Sequence, residues 1–160
     1  DLVRSRGLGD VYKRQGKWFE KFRSNYLDVD NDALYPFGYG LSYTTFQYGD
    51  IVLNTPTMKQ NETITATIQV TNSGKYDGAE VVQLYIRDLV GSITRPVREL
   101  KGFKKIFLKA GESKTVSFKI TADLLRFYDY DLKQVTEPGE FDIFIGGSSQ
   151  ATKTARLTLK

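Results

Sequence analysis

The segment whose residue types point most directly to binding is 34–46, where large aromatic rings alternate with glycine and proline. Glycine permits positive φ and close backbone approach, and Pro36 fixes its own φ near about −65°. This mixture fits neither a periodic helix nor a strand, so it predicts a rigid loop that presents aromatic faces. Such faces either stack on sugar rings or become buried in a neighbouring domain. The rings are Tyr35, Phe37, Tyr39 and Tyr43.

The composition excludes several kinds of catalytic and metal site, because the chain contains neither histidine nor cysteine. Ser-His-Asp triads, thiol nucleophiles and metals held by imidazole or thiolate are therefore excluded. Asp28, Asp30 and Asp32 alternate as in a calcium loop, but Ala33 stands where such a loop needs glycine and Tyr39 where it needs glutamate. We interpret these aspartates as a solvated turn, and we expect neither a metal nor a cofactor.

The net charge of +4 does not predict a nucleic-acid partner. Residues 1–15 hold four of the 23 basic and two of the 19 acidic residues, so the remainder carries 19 and 17, a net charge of +2. That balance is ordinary for a protein surface. Residues 1–15 also lack an amphipathic period, so we interpret them as a translated adapter or a disordered tail. No run of about 18 apolar residues predicts a membrane-spanning helix.

Beyond residue 45, apolar residues recur at every second position, which is the pattern of half-buried β-strands. Ile64, Ala66, Ile68 and Val70, for example, alternate with threonine and glutamine. Turn residues separate the runs, so the pattern predicts an all-β, antiparallel sandwich of about seven strands. The predicted strands are 46–54, 62–72, 79–88, 98–108 (interrupted near Gly102), 114–121, 139–146 and 152–159.

In the third predicted strand, Val82, Leu84 and Ile86 lie opposite Val81, Gln83, Tyr85 and Arg87. Because a half-buried strand has one face toward the opposite sheet and one toward water, we expect the first set to face the opposite sheet and the second to meet water.

The helical pattern is weak. It predicts a short helix within 17–33 and one helical turn at 123–127. By pattern the chain divides into a tail of residues 1–15, a linking segment of residues 16–45 that carries the aromatic rings, and a sandwich of residues 46–160.

A series of short motifs runs in order from residue 17 to residue 149: the aromatic segment 34–46, then 70–74, 78–86, 95–103, 109–113, 137–141 and 145–149. Each is weak alone, but their order and spacing together resemble the C-terminal fibronectin type III-like domain of glycoside hydrolase family 3, the β-glucosidases and β-xylosidases. The chain departs from that pattern at Ala33, where the family often has proline, and at Tyr39, where many members have histidine. The resemblance implies an immunoglobulin-like or fibronectin type III-like sandwich with an irregular N-terminal extension.

The resemblance also implies that the parent is a retaining glycosidase whose nucleophile and acid/base lie in upstream domains. No position here matches either group, so no catalytic residue is assigned. Independent hydrolysis would need two carboxylates roughly 5–5.5 Å apart, one with a raised pKa. The acids to compare with that requirement are Glu80, Glu99, Glu137 and Glu140. Neighbouring basic residues favour a charged Glu99, and we expect no independent catalysis.

Three functions follow as hypotheses. The first is a structural module that packs through residues 16–45 on the upstream catalytic domains, which are absent from this chain if the gene is truncated. The second is a carbohydrate-binding module in which Tyr128 and Tyr130 stack on an oligo- or polysaccharide, and Arg95 and Asp129 supply hydrogen bonds. The third is an adhesive sandwich that self-associates. The parent's substrate, glucoside or xyloside, and its location, periplasmic, secreted or cytoplasmic, stay open.

Overall fold

The computed structural model describes residues 33–160. Residues 36–160 form one compact unit. The predicted tail, the aspartate turn and all but the last residue of the predicted 17–33 helix lie outside the described residues. No helix in residues 33–160 is long and apolar enough to cross a membrane.

Residues 33–160 contain mostly strands, with one short 3₁₀ helix at Ala122–Leu125. The strands are β1 Phe46–Tyr48, β2 Val52–Leu53, β3 Thr57–Met58, β4 Thr63–Asn72, β5 Gly78–Asp88, β6 Glu99–Leu108, β7 Ser113–Thr121, β8 Phe127–Tyr128, β9 Gln134–Val135, β10 Gly139–Gly146 and β11 Thr154–Leu159.

Two sheets build the sandwich. The larger has the order β3-β11-β10-β5-β6, with β3 parallel to β11 and the other neighbours antiparallel. In the smaller sheet β4 pairs with β7 along one edge and with β1 and β2 along the other. β8 and β9 form a separate hairpin. The predicted all-β antiparallel sandwich is confirmed.

The strand predictions hold to within two residues, except for the first. The predicted strand 46–54 is divided into β1 and β2, which lie along the same edge of β4. Between them the Gly49 N–H still donates to the Gln69 carbonyl at 2.9 Å, so the chain stays close to β4 through the break. The interruption near Gly102 is a register shift against Leu84 and Tyr85. β3, β8 and β9 were not predicted, because two residues cannot display an alternating pattern.

The core lies between the two sheets and is built by the alternating residues. Ile68 and Val70 from β4 meet Leu84 from β5, Ile143 from β10 and Leu157 from β11 in one buried cluster. Each such side chain contributes about 1.5–3 kcal/mol when it is fully removed from water. The predicted inward positions of β5 are confirmed: Val82, Leu84 and Ile86 are buried.

One buried polar side chain, Asn72 at the end of β4, closes the sandwich at the start of β5. Its amide nitrogen donates to the Tyr76 carbonyl at 2.8 Å and to the Leu108 carbonyl at 3.2 Å. Its amide oxygen accepts from the Thr44 hydroxyl at 2.6 Å and from the Gly74 N–H at 3.1 Å. This residue joins three segments that are distant in sequence.

We expect Asn72→Ala to lower the free energy of unfolding by about 2–3 kcal/mol, because it leaves buried hydrogen-bonding groups without partners. Urea unfolding followed by circular dichroism measures the loss. Gln69→Ala, at an exposed position of the same strand, is the control and should change stability by less than about 0.5 kcal/mol. Equal effects of the two substitutions would contradict the role of Asn72.

Candidate functional site

A segment that we call the strap, residues 36–42, lies against the outer face of the larger sheet over β5. The Gln83 amide nitrogen donates to the Gly38 carbonyl at 2.9 Å. The Ser149 N–H donates to the Phe37 carbonyl at 2.8 Å. Hydrogen bonds to two of its carbonyl groups therefore fix the strap by its main chain.

The strap explains why the water-facing expectation for Gln83 and Tyr85 is wrong. Both are buried, and Tyr85 is only 1% exposed. The Tyr85 hydroxyl donates to the Gln83 amide oxygen, and its ring packs with Phe144 and Ala151. Burial raises the pKa of Tyr85. The alternation in β5 was predicted correctly, but its outer face is covered here by a segment that lies far away in sequence.

Gly38 is the residue that lets the strap approach so closely. It has a φ of +78°, and the Tyr39 N–H donates to the Pro36 carbonyl at 3.0 Å, as in a type II turn with glycine at its third position. A Cβ on Gly38 would stand 2.0 Å from the Gln83 amide oxygen. Both the backbone conformation and the available space therefore require glycine.

The C-terminal end of the strap is held by the next residues of the chain. The Thr44 hydroxyl donates to buried Asn72, and the Thr44 N–H donates to the Ser42 hydroxyl at 3.3 Å. In between, a Cβ on Gly40 would meet no atom within 4 Å. Residues 39–42 thus form an arch that is anchored at both ends and open on its sides.

An apolar groove of about 450 Å³ lies beside the arch. Strap residues line one side, and residues of β5 and β6 line the other. Among its lining residues, Phe37, Leu41 and Phe103 are the most exposed apolar side chains, and Tyr39, Val81 and Leu100 are exposed to a smaller extent. The β5 and β6 residues were not predicted to line a binding surface. Phe103 could have indicated it, because it lies an odd number of positions from inward-facing Ile106 and Leu108 and therefore faces outward.

Glu80, at the start of β5, lines this groove and also an adjoining space of about 350 Å³ on the other side of the arch. It accepts a hydrogen bond from the Tyr48 hydroxyl at 2.6 Å. Burial raises the pKa of Glu80, although the hydrogen bonds from Tyr48 and from the Val81 backbone oppose that shift. Burial and the same carboxylate also raise the pKa of Tyr48.

The candidate acids other than Glu80 line neither space beside the arch. Glu80 is the only acid among the described residues that line either space beside the arch. Burial opposes ionisation of Glu99, but Lys101 and Arg95 together outweigh it and lower the pKa of that carboxyl. Glu137 accepts a backbone N–H at 3.0 Å, and Glu140 pairs with Arg156 at 2.7 Å. In residues 33–160 no cluster of three acids could hold a metal ion.

The four predicted interface rings lie on the protein surface and not in the core. Phe37 is 68% exposed and Tyr43 is 97% exposed. Phe37 and Tyr39 line the groove, whereas Tyr43 follows the arch in the chain and does not line the groove. Tyr35 is also exposed and precedes the strap. The fold therefore brings two of the four rings together with β5 and β6.

The predicted carbohydrate-contact residues lie on or near the β8–β9 hairpin. Tyr130 is 94% exposed, and Tyr128 is more than half exposed. The Asp129 carboxylate accepts two backbone N–H groups within the hairpin turn. Arg95 stacks 4.3 Å from the Phe127 ring centroid and its side chain is nine-tenths covered. The two tyrosines are therefore accessible, whereas Arg95 and Asp129 already contact other groups of the chain.

Comparison with known proteins identifies the fold family. Residues 80–149 match the model of the fibronectin type III-like domain. The periplasmic β-glucosidase of Salmonella typhimurium is 50% identical over 139 residues, which cover 87% of this chain and 18% of that protein. A β-xylosidase of Formosa agariphila is 50% identical over 97% of this chain and 22% of its own length.

Solved structures agree. A β-glucosidase from Listeria innocua superposes with a TM-score of 0.80 at 37% identity, over 91% of this chain and 20% of that one. A β-glucosidase from Kluyveromyces marxianus gives a TM-score of 0.73 at 34% identity, over 81% of this chain and 15% of its own. The chain thus spans about a fifth of the relatives' length. The resemblance found in the sequence is confirmed, and this chain matches the C-terminal fibronectin type III-like domain of a glycoside hydrolase family 3 enzyme.

Proposed function

We propose that this chain is a non-catalytic structural module that packs on the upstream catalytic domains of a family 3 glycoside hydrolase and stabilises them. The observation that carries the proposal is the groove beside the strap, where large apolar side chains are exposed on a sandwich whose core is otherwise complete. Contiguous exposed apolar surface of this kind is typical of interaction sites. Neither space beside the arch holds a second carboxylate next to Glu80.

The docking surface consists of the strap side chains and the neighbouring side chains of β5 and β6: Phe37, Tyr39, Leu41, Val81, Leu100 and Phe103. Its occupant is the upstream part of the same polypeptide. Relatives that match this chain are about five times longer, so in them the module has neighbours. The strap also lies at the N-terminal end of the compact unit, where an upstream domain would connect.

The proposed domain division supports this arrangement. Residues 1–15 are a tail outside the module, residues 16–45 link it to the catalytic domains, and residues 46–160 are the sandwich. Residues 36–42 of the linking segment are fixed on the sandwich by Gln83 and Ser149, so the linker ends in a rigid surface. The parent hydrolyses O-glycosyl bonds, because the relatives are named as β-glucosidases and β-xylosidases.

A second candidate function, carbohydrate binding, is favoured by the exposed tyrosines of the β8–β9 hairpin. On that reading the Tyr128→Ala, Tyr130→Ala double variant abolishes retardation of the chain by xylan or laminarin in affinity electrophoresis, because stacking on sugar rings is lost. The control is Tyr76→Ala, an exposed tyrosine on another turn. Equal migration of the unmodified chain with and without polysaccharide would exclude this function.

The strap must be fixed for the docking surface to be presented, which Gly38→Ala tests. We expect it to destabilise the chain by at least about 2 kcal/mol, because alanine is strained at positive φ and displaces the Gln83 hydrogen bonds. Chymotrypsin cleavage within residues 37–43 should accelerate. Gly40→Ala is the matched control, since a Cβ there meets no neighbour. Similar cleavage rates in both variants would show that the strap is not held by Gly38.

Docking itself is tested in a chimera in which this chain's residues replace the matched segment of the Salmonella typhimurium periplasmic β-glucosidase. We expect Leu41→Ser and Phe103→Ser to shorten the half-life of its activity on heating, because apolar contact with the upstream domains is lost. In the isolated chain the same substitutions should change unfolding free energy by less than about 0.5 kcal/mol, since both side chains are exposed.

The control for the chimera is Val52→Ser, an exposed apolar position on the smaller sheet. It should leave the half-life unchanged. If Leu41→Ser and Phe103→Ser behave as Val52→Ser does, the groove is not the docking surface.

A further inference from the structure

We propose that the groove beside the arch receives one cationic side chain, a lysine or arginine of the upstream catalytic domains, which forms an ion pair with the Glu80 carboxylate. This inference rests on the proposed docking function and names the chemistry of the partner. It gives Glu80 a role in partner recognition, which was not apparent when Glu80 was considered only as a candidate catalytic acid.

The Glu80 carboxylate lies where a side chain that enters the groove can reach it. It lines both spaces beside the arch, so its carboxylate is reached from either side of residues 39–42. One oxygen accepts the Tyr48 hydroxyl at 2.6 Å. A carboxylate has about four acceptor sites, so these hydrogen bonds leave capacity for a ligand that enters the groove. A Cβ on Gly147 would stand 2.7 Å from the same oxygen, so glycine there leaves this oxygen room.

The charge around Glu80 is the second argument. Neither space beside the arch is lined by a lysine or arginine of residues 33–160. The elements packed around it present neutral groups: the strap, the Tyr48 phenol of β1, and the Gly147–Ser148 turn. A half-buried carboxylate therefore lies at the floor of an apolar groove without a counter-charge. Docking that covers the groove would bury it further, and an unpaired buried charge is strongly unfavourable.

Docking can satisfy this carboxylate either by protonating it or by bringing a cation. The existing contact favours the second solution, because the Tyr48 hydroxyl donates to the carboxylate at 2.6 Å. Donated hydrogen bonds stabilise the ionised form. The walls fit the same occupant: the aliphatic stem of a lysine or arginine can pack along Leu41, Val81 and Phe103 while its charged end reaches Glu80.

The test is Glu80→Gln in the same chimera, because glutamine keeps the shape and still accepts from Tyr48. We expect the isolated chain to melt as before and the chimera to lose activity on heating about tenfold faster, since the partner's cation is left unpaired. Asp131→Asn, which removes an exposed charge on the β8–β9 hairpin, is the matched control and should leave the half-life unchanged. Glu80→Lys should be worse than Glu80→Gln, because two cations then meet.

A pH series separates the ion pair from a protonated carboxyl. If Glu80 pairs with a cation, docking lowers its pKa, so its contribution is complete above the undocked pKa and disappears as pH falls through the docked pKa. The half-life ratio between the parent chimera and Glu80→Gln should therefore grow as the pH rises from about 4, near the ordinary pKa of a glutamate, to about 7. A ratio that shrinks over this range would show a protonated acid and overturn the inference.

The remaining outcomes distinguish this inference from the docking proposal. If Leu41→Ser and Phe103→Ser shorten the half-life but Glu80→Gln does not, the groove docks without a cation and the inference is wrong. If none of the three has an effect, the docking function fails as well.

Discussion

The structure depends on one buried amide, that of Gln83. It lies on the outer face of β5, where a side chain would ordinarily be solvated, and it donates to the carbonyls of Gly38 and Gly147 at 2.9 and 2.8 Å. A buried amide without such partners would destabilise the fold. The strap and the turn after β10 must therefore both be in place before this face of the sheet is stable. That one constraint couples the rings of the strap, the covering of Tyr85 and the walls of the groove to the sandwich itself.

The sequence was sufficient for whatever depends on local pattern. Alternation located β4 to β7, β10 and β11, because each has one face in the core. It could not show that Gln83 and Tyr85 are covered, since the covering residues lie more than 40 positions earlier. It located Phe37 and Tyr39 through composition, but it could not show that Phe103 shares a groove with them, because the strap and β6 are distant in sequence. Glu80 was named only as a candidate acid, and its isolation from other carboxylates depends on the three-dimensional arrangement.

The surface joins two physical features that serve recognition better than catalysis. Large apolar side chains stand exposed on rigid backbone, so little conformational entropy is lost when a partner covers them. A single carboxylate lies among them, held by a phenol and a backbone N–H. Hydrolysis of a glycoside needs a second acid at short distance, and none of the described residues in the groove supplies one. On the proposed function, such a module would act on the reaction only through the positions of the domains that it contacts.

The order of strands in the larger sheet has a consequence for biosynthesis. β11 lies between β3 and β10, and Met58 of β3 pairs with Leu159. The ribosome therefore adds about a hundred residues after β3 before its neighbour exists. Until β11 emerges from the exit tunnel, β3 has no strand to pair with, so this edge of the larger sheet forms only after residues 154–159 have been made.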